Sequence, residues 1–153
     1  MTDNNTHSIQ SSSKDVQAFL EELEQFPWFE HTGKPIQDEG IKQVFSLNTA
    51  WECMQDDSYT YASFHLEVDQ AHPVWAEAYD RVFDIVSKSG RNYELEKDNP
   101  IARSAAWDAG GAAYQIAVGN KTGFYIHLME WYRKGHWPCG WEGEYPDGKL
   151  IVY

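Results

Sequence analysis

Histidine and glutamate, two residue types that ligate zinc, recur at short spacing in two places of this 153-residue chain. His65 and Glu67 lie in a segment whose apolar and polar residues alternate, so both would share one face of a strand. His127 and Glu130 would point to opposite faces of a strand, or share one face of a helix. We predict that these residues lie on the solvent face of a sheet and hold no metal. A metal site formed by His65, Glu67 and His127 is the alternative.

The two cysteines are the second candidate for chemistry. Two cysteines are too few for a disulfide scaffold, so Cys53 and Cys139 are expected to be free thiols. His136 could activate Cys139 only if the intervening loop folds back, and the alternative is an ordinary loop thiol. The chain contains no G-x-S-x-G, P-loop, dinucleotide-binding or H-E-x-x-H pattern. We therefore predict no catalytic residue, no cofactor and no enzymatic activity.

The net negative charge of the chain arises within residues 15–84, which we call the acidic segment. It contains 15 Asp and Glu residues against Lys34, Lys42 and Arg81, and this imbalance accounts for the whole formal net charge of -12. A surface of one sign attracts basic macromolecules and repels nucleic acid and anionic membranes. The expected partner is therefore a basic protein, with neither nucleic acid nor membrane as a partner. The alternative is a solvated surface that only maintains solubility.

Aromatic residues are dense in residues 131–141, which read Trp-Tyr-Arg-Lys-Gly-His-Trp-Pro-Cys-Gly-Trp. Trp, Tyr and Arg are common at the energetic centres of protein interfaces. Trp137 and Trp141 flank Pro and Gly, and no periodicity holds them inward, so we predict that both point outward. Trp131 is predicted to belong to the core, where a large ring buries much area.

The pattern of apolar residues predicts four helices. The first follows Ser12 with an apolar stripe that ends before Pro27, and the second spans residues 47–54. The third begins at Pro73 and closes at Gly90. The fourth begins at residues 99–100 and is expected to stop at residues 110–111, because each Gly in a helix interior costs about 1 kcal/mol.

The remaining segments predict strands at residues 60–69, 112–118, 124–131 and 150–153. The second and third would form a hairpin around residues 119–123, which have Gly at both ends. A single helix over residues 100–118 is the alternative. A type I turn at residues 145–148 would precede the last strand. Together these elements predict an α+β fold: a mostly antiparallel sheet with about four helices packed on it as a single layer pair.

Length and composition predict one globular domain over residues 14–153 and a disordered tail over residues 1–13. The tail has neither the basic start nor the apolar stretch of a signal peptide. No apolar run approaches the roughly 20 residues of a membrane helix. We therefore expect a cytoplasmic protein.

A small, strongly acidic, tryptophan-rich chain of this kind resembles the immunity proteins of bacterial toxin systems, which bind and block a cognate toxin inside the producing cell. The resemblance is one of class, and it implies a partner toxin domain, often a basic nuclease, whose cleft is occluded by carboxylates that stand in for phosphates. Charge would then accelerate binding, and buried aromatic rings would slow dissociation. The candidate partner-binding residues are Glu21, Glu22, Glu24, Asp38, Glu39, Asp56, Asp57, Trp137 and Trp141.

Two other functions are open at this point. A small enzyme or ligand-binding domain would use His65, Glu67 and His127, and substitution of these histidines would abolish its activity. An inhibitor would tolerate His65→Ala and lose partner binding on charge reversal at Asp56 and Asp57. A mimic of nucleic acid that blocks a DNA-binding protein would carry the same charge, and only the identity of the partner would distinguish it.

Overall fold

A computed structural model describes residues 14–30, 32–55, 69–88, 100–143 and 147–153. The chain divides into two compact units, one of Met1–Phe26 with Val68–Met129 and the other of Pro27–Glu67 with Glu130–Tyr153. The single domain over residues 14–153 stays a prediction, and the predicted tail at residues 1–13 lies outside the described residues.

The described residues contain five α-helices and one mixed sheet of three strands, so the α+β class is confirmed. The predicted sheet is matched only roughly, because one of the two strand pairings is parallel. In chain order the elements are α1 (14–22), the 3-10 turn η1 (Leu23–Gln25), β1 (Ile41–Gln43), α2 (Leu47–Gln55), α3 (Pro73–Ser87), α4 (Pro100–Ala117), α5 (Phe124–Arg133), β2 (Pro138–Glu142) and β3 (Lys149–Val152).

The first helix of the first unit follows the predicted apolar stripe. Its inward residues Val16, Phe19 and Leu20 are buried, and so is Leu23, the first residue of η1. The carbonyl of Leu20 lies where the α-helix gives way to η1, and Arg81 of α3 donates a hydrogen bond to it at 3.1 Å. This long-range cap satisfies one of the carbonyls that a helix end leaves without an intrahelical partner. The predicted capping residue Ser12 lies outside the described residues.

Helix α3 begins as predicted, with Pro73 at its first position and four buried residues on its inward face: Trp75, Ala78, Val82 and Val86. The helix ends at Ser87 with Lys88 as its C-cap, two residues before the predicted end at Gly90. Gly90 itself lies outside the described residues. The second predicted helix is confirmed as α2, whose residue Ala50 is fully buried.

The predicted stop at residues 110–111 is wrong, and the alternative of one long helix is confirmed as α4. Both glycines lie inside α4, at the two positions where an aromatic ring packs directly against the helix backbone. A Cβ atom at Gly110 would lie 2.9 Å from the indole of Trp75, and a Cβ atom at Gly111 would lie 2.5 Å from Cγ of Tyr125. The glycines therefore allow close packing inside a helix, at the cost in helix propensity that the sequence indicates.

The hairpin predicted around residues 119–123 is also wrong, because both of its arms are helical. Gly119 follows α4 with a positive φ of 78°. The N–H of Asn120 donates a hydrogen bond to the carbonyl of Gln115, and the N–H of Gly119 donates one to the carbonyl of Ile116. These two bonds form a Schellman motif. Helix α5 then starts after Gly123, so the glycines mark two helix ends rather than a β-turn.

The second unit contains the sheet, in the order β1-β3-β2. β1 pairs with β3 in parallel and β2 pairs with β3 in antiparallel orientation, so the predicted final strand is confirmed as β3. A bulge interrupts β2 between Pro138 and Gly140. Helix α2 packs on β2, where a Cβ atom at Gly140 would lie 3.5 Å from Cβ of Cys53. The strand predicted at residues 60–69 falls almost wholly outside the described residues, as does the first half of the turn predicted at residues 145–148.

Candidate protein-binding surface

The candidate acidic residues of the first unit lie where α1 and η1 end. Glu21 and Glu24 are exposed, and Glu22 is half-buried. The partial charge at the C-terminal end of a helix is negative, so carboxylates in this place are electrostatically unfavourable for the helix. Their position therefore does not serve the stability of α1.

The cation nearest to this helix end is already engaged. Arg81 donates one hydrogen bond to the Leu20 carbonyl, and its other terminal nitrogen lies 3.7 Å from the carboxylate of Glu77. Within the described ranges the ion pairs join other residues, and neither Glu21 nor Glu24 takes part in one. Within the part of the chain that the structure describes, these two exposed carboxylates therefore have no direct ion pair to compensate their charge.

Helix α3 adds acidic residues that the sequence analysis did not select. Glu77, Asp80 and Asp84 are exposed, and they recur at intervals of three and four residues along one face of α3. Arg81 lies among them, so its bond to the Leu20 carbonyl brings this face next to the end of α1. Lys88 compensates Asp84 at 3.0 Å, whereas Asp80 has no ion pair with a described residue. Their spacing in the sequence was the signal that could have identified them.

The acidic candidates of the second unit lie before β1. Asp38 and Glu39 are exposed, and the carboxylate of Asp38 accepts a hydrogen bond of 2.8 Å from the N–H of Gly40. This bond closes the turn that leads into β1, so Asp38 has a structural role as well. Asp56 and Asp57 lie outside the described residues.

Lys42, one of the three cations of the acidic segment, pairs with Glu142 across the sheet. The hydrogen bond and the charge of Glu142 raise the pKa of Lys42, and those of Lys42 lower the pKa of Glu142. Both side chains are half-exposed, so solvent screens the pair. Because Glu142 lies outside the acidic segment, Lys42 does not reduce the charge of that segment's own carboxylates through a direct ion pair.

The predicted outward orientation of the two tryptophans is wrong. Trp137 is 0% exposed and Trp141 is 9% exposed, so both are core residues of the second unit. The ring of Phe29 meets that of Trp137 edge to face at 5.8 Å. The backbone of Trp137 exchanges two hydrogen bonds with Tyr153, which extends the strand pairing and turns the side chain inward. Trp137 therefore offers no surface to a partner in this conformation.

Trp131 is buried, as the sequence predicts. The ammonium group of Lys134 lies 4.9 Å from the centroid of its ring, and the ring of His136 meets it edge to face at 6.0 Å. The ring of Trp131, in the last turn of α5, therefore packs against residues that follow the helix, and it stabilises that end of α5 by packing and by a cation-π interaction.

Cys139 is buried on β2, and its thiol lies 3.6 Å from the carbonyl oxygen of Ile151. Burial, with a smaller effect of Cys53, raises the pKa of the Cys139 thiol far above its usual range. Nδ1 of His136 lies 2.9 Å from the carbonyl oxygen of Tyr153, with which it shares a hydrogen bond. The described environment therefore favours the protonated, unreactive form of this thiol.

We expect the two cysteines to differ strongly in reactivity at neutral pH. In native protein an alkylating reagent such as iodoacetamide should modify Cys53, which is half-buried, and leave Cys139 intact until the protein unfolds. Peptide mass spectrometry after timed alkylation, with urea-unfolded protein as the control, measures both sites. Equal modification of the two cysteines in the native protein would contradict the burial of Cys139.

The candidate metal set is described only in part. His127 and Glu130 are both exposed on α5, and Glu130 forms an ion pair of 3.1 Å with Arg133. His65 and Glu67 lie outside the described residues. Among the residues with described positions, no three His, Cys, Asp or Glu side chains come together in a way that could hold a metal ion.

Comparison with known proteins gives no relative for this chain. No protein-family model, no curated protein and no solved structure matches it. Among the described helices, none combines the length and the apolar character needed to cross a membrane. The exposed charges of the described residues are therefore the features that bear on function.

Proposed function

We propose that this protein is a small acidic inhibitor, an immunity protein that binds a cognate basic toxin of the nuclease type in the cytoplasm and occludes its active cleft. The observation that carries the proposal is the exposed carboxylates of Glu21, Glu24 and Asp80, none of which forms an ion pair with a described residue. A nuclease cleft is lined by cations that bind phosphates. Carboxylates presented on rigid helices can occupy the same positions.

The placement of these charges supports a role outside the fold itself. Glu21 and Glu24 lie at the negative end of a helix, and Arg81, the cation that bonds this helix end, is used by a backbone carbonyl and by Glu77. Like charges in proximity also repel one another in the folded state. A basic partner would relieve both unfavourable effects on binding, because its cations would pair with carboxylates that have no ion pair among the described residues.

Burial of the two tryptophans removes them as a source of affinity for the toxin. Trp137 and Trp141 are core residues, so residence time on the toxin cannot depend on them as exposed anchors. Affinity then rests more heavily on electrostatic complementarity, which mainly raises the association rate and is screened by salt. The same surface would suit a mimic of nucleic acid, and the identity of the captured partner distinguishes the two functions.

The test is affinity capture from a lysate of the native organism at about 50 mM salt, followed by identification of bound proteins and by binding measurements at rising salt. We expect a basic partner whose Kd weakens at least about tenfold between 50 and 300 mM salt, because the Debye length shortens over that range. The purified partner should have a nuclease activity that this protein inhibits. A Kd that stays flat over the salt range would contradict the electrostatic mechanism.

A pair of charge-matched variants separates a local effect from a global one. Glu21→Gln with Glu24→Gln removes two charges inside the acidic segment, and Glu130→Gln with Asp147→Asn removes two exposed charges outside it. The first variant should slow association and weaken the dependence on salt, whereas the second should bind nearly as the wild type does. Equal losses in both variants would show that only the net charge matters.

A further inference from the structure

The most exposed large apolar side chain among the described residues precedes helix α2: Phe45 is 70% exposed. Ser46 follows it as the N-cap of α2, because its hydroxyl accepts a hydrogen bond of 3.1 Å from the N–H of Thr49 and its carbonyl accepts one from the N–H of Ala50. An apolar residue before an N-cap commonly packs on the fourth helical residue, which is Ala50 here. Ala50 is fully buried whereas Phe45 is exposed, so Phe45 does not serve the start of the helix in this way.

Helix α2 carries further apolar side chains that are open to solvent. Leu47, Trp51 and Met54 recur at intervals of four and three residues, so they share one side of the helix, and all three are only half-buried. Phe45 lies near the N-terminal end of this stripe, because two residues of chain span at most about 7 Å. We call Phe45, Leu47, Trp51 and Met54 the apolar patch.

The sheet buries a different side of α2. The helix packs on β2 through Ala50 and Cys53, whose Cβ lies 3.5 Å from the position of a Cβ atom at Gly140. At 3.6 residues per turn, this side lies about a quarter turn away from the three helical residues of the apolar patch. Among the described residues Trp51 has neither a ring partner nor a hydrogen-bond partner. Packing of α2 on the sheet therefore leaves the patch partly open to solvent.

The charge beside the apolar patch is negative. Glu52, the neighbour of Trp51, is exposed and forms no ion pair with a described residue. Lys42 of β1 is already paired with Glu142. A second copy of this chain would carry the same net charge of -12 and would be repelled. The chemistry that fits is therefore a segment that combines apolar side chains with a cation for Glu52.

We propose that the apolar patch binds an amphipathic basic segment of the partner protein, with Phe45 and Trp51 as anchors and Glu52 as the acceptor for its cation. Buried aromatic side chains carry a large share of the binding energy in protein interfaces and mainly slow dissociation. The inference rests on the proposed function for the identity of the partner. It adds the aromatic anchors that the buried Trp137 and Trp141 do not provide.

The probe is a synthetic helical peptide made only of leucine and lysine, titrated into the full-length, 15N-labelled protein at about 50 mM salt. A peptide of the same composition in scrambled order keeps the charge and has no apolar face. We expect the amide signals of residues 45–54 and the indole N–H signal of Trp51, assigned with Trp51→Phe, to shift most. The scrambled peptide should bind at least about fivefold more weakly. Equal affinities, or largest shifts elsewhere in the chain, would overturn the proposal.

Phe45→Ala and Val118→Ala are the matched variants, because Val118 is also a large apolar side chain that is exposed, at 53%. Both positions are on the surface, so the Tm of each variant should stay within about 3 °C of the wild type. Phe45→Ala should weaken binding of the helical peptide at least about fivefold, and Val118→Ala less than about twofold. Equal Kd values for the two variants would refute the role of Phe45.

The captured partner separates this inference from the proposed function. Phe45→Ala should raise its dissociation rate and leave its association rate nearly unchanged, whereas Glu21→Gln with Glu24→Gln should act on association. A nuclease that is inhibited, and that dissociates from Phe45→Ala as it does from the wild type, would overturn the inference and leave the proposed function intact. Peptide binding at the patch without any captured nuclease would support the inference and contradict the proposed function.

Discussion

Replacement of Gln115 with methionine is expected to lower the free energy of unfolding by about 3 kcal/mol, because it leaves one buried and one partly buried backbone N–H group without the side-chain acceptor. Gln115 is fully buried at the end of α4. Its side-chain Oε1 accepts hydrogen bonds of 3.1 Å from the N–H of Tyr125 and 3.3 Å from the N–H of Ile126. Both donors belong to the first turn of α5, where intrahelical acceptors are missing.

The cap comes from Gln115 because Gly123, the residue before α5, has no side chain of its own to provide one. A Cβ atom at Gly123 would overlap the carboxamide of Gln115, so the two residues depend on each other. The orientation of the carboxamide follows from its partners, since two N–H donors require the oxygen and not the nitrogen. Nε2 of Gln115 has no hydrogen-bond partner among the described residues, so methionine loses only the acceptor.

The measurement is urea unfolding of Gln115→Met, with Ile116→Met as the matched control. Methionine is close to glutamine in volume and shape, so Gln115→Met removes the hydrogen bonds and largely keeps the packing. Ile116 is the half-buried neighbour on α4, and the same new side chain there should cost less than about 1.5 kcal/mol. Equal effects of the two substitutions would mean that the Gln115 cap contributes nothing.

The second large effect is expected for Gly111→Ala. In an open helix position this change would stabilise the protein by about 1 kcal/mol through helix propensity. Here the new Cβ would lie 2.5 Å from Cγ and 2.7 Å from Cδ2 of Tyr125, a ring that is fully buried. Cγ is attached directly to Cβ of Tyr125, so the ring cannot swing away unless α5 moves. We expect a net loss of about 2 to 3 kcal/mol and a Tm lower by about 5 to 10 °C.

The sign of the effect decides between propensity and packing, and thermal unfolding measures it. Ala109→Gly, at a fully buried position of the same helix, is the control because it makes the reverse change. If propensity dominated, Gly111→Ala would raise the Tm and Ala109→Gly would lower it. If the contact with Tyr125 dominates, both substitutions lower the Tm. An increase for Gly111→Ala would contradict the close approach of the ring.

Several elements of this protein could be predicted from the sequence because their signals are local. The apolar stripe of α1 and the Pro73 start of α3 depend on residues within a turn or two of each other. Helix α2 and strand β3 follow from short apolar patterns in the same way. The charge of the acidic segment is a sum over residues, so it needs no structure at all.

Other features depended on partners far away in the sequence. Residues 110–111 read as a helix stop because two glycines are poor helix formers, but the rings of Trp75 and Tyr125 need the space that only glycine leaves. The segment at residues 119–123 reads equally well as a β-turn or as two helix ends. The hydrogen bond from the N–H of Tyr125 in α5 to the side chain of Gln115 in α4 forms only when the segment joins two helices, and no local pattern indicates it.

The same division applies to the candidate surface. The sequence by itself determined the excess of carboxylates, the α+β class and the approximate location of most helices, because composition, periodicity and caps act over short distances. Only the tertiary structure decided which carboxylates have no ion pair with a described residue. It also decided that the bond from Arg81 to the Leu20 carbonyl brings the acidic face of α3 next to the end of α1, and that Trp137 is buried. Ion pairing and burial of a side chain are contacts between distant segments, and spacing along the chain does not encode them.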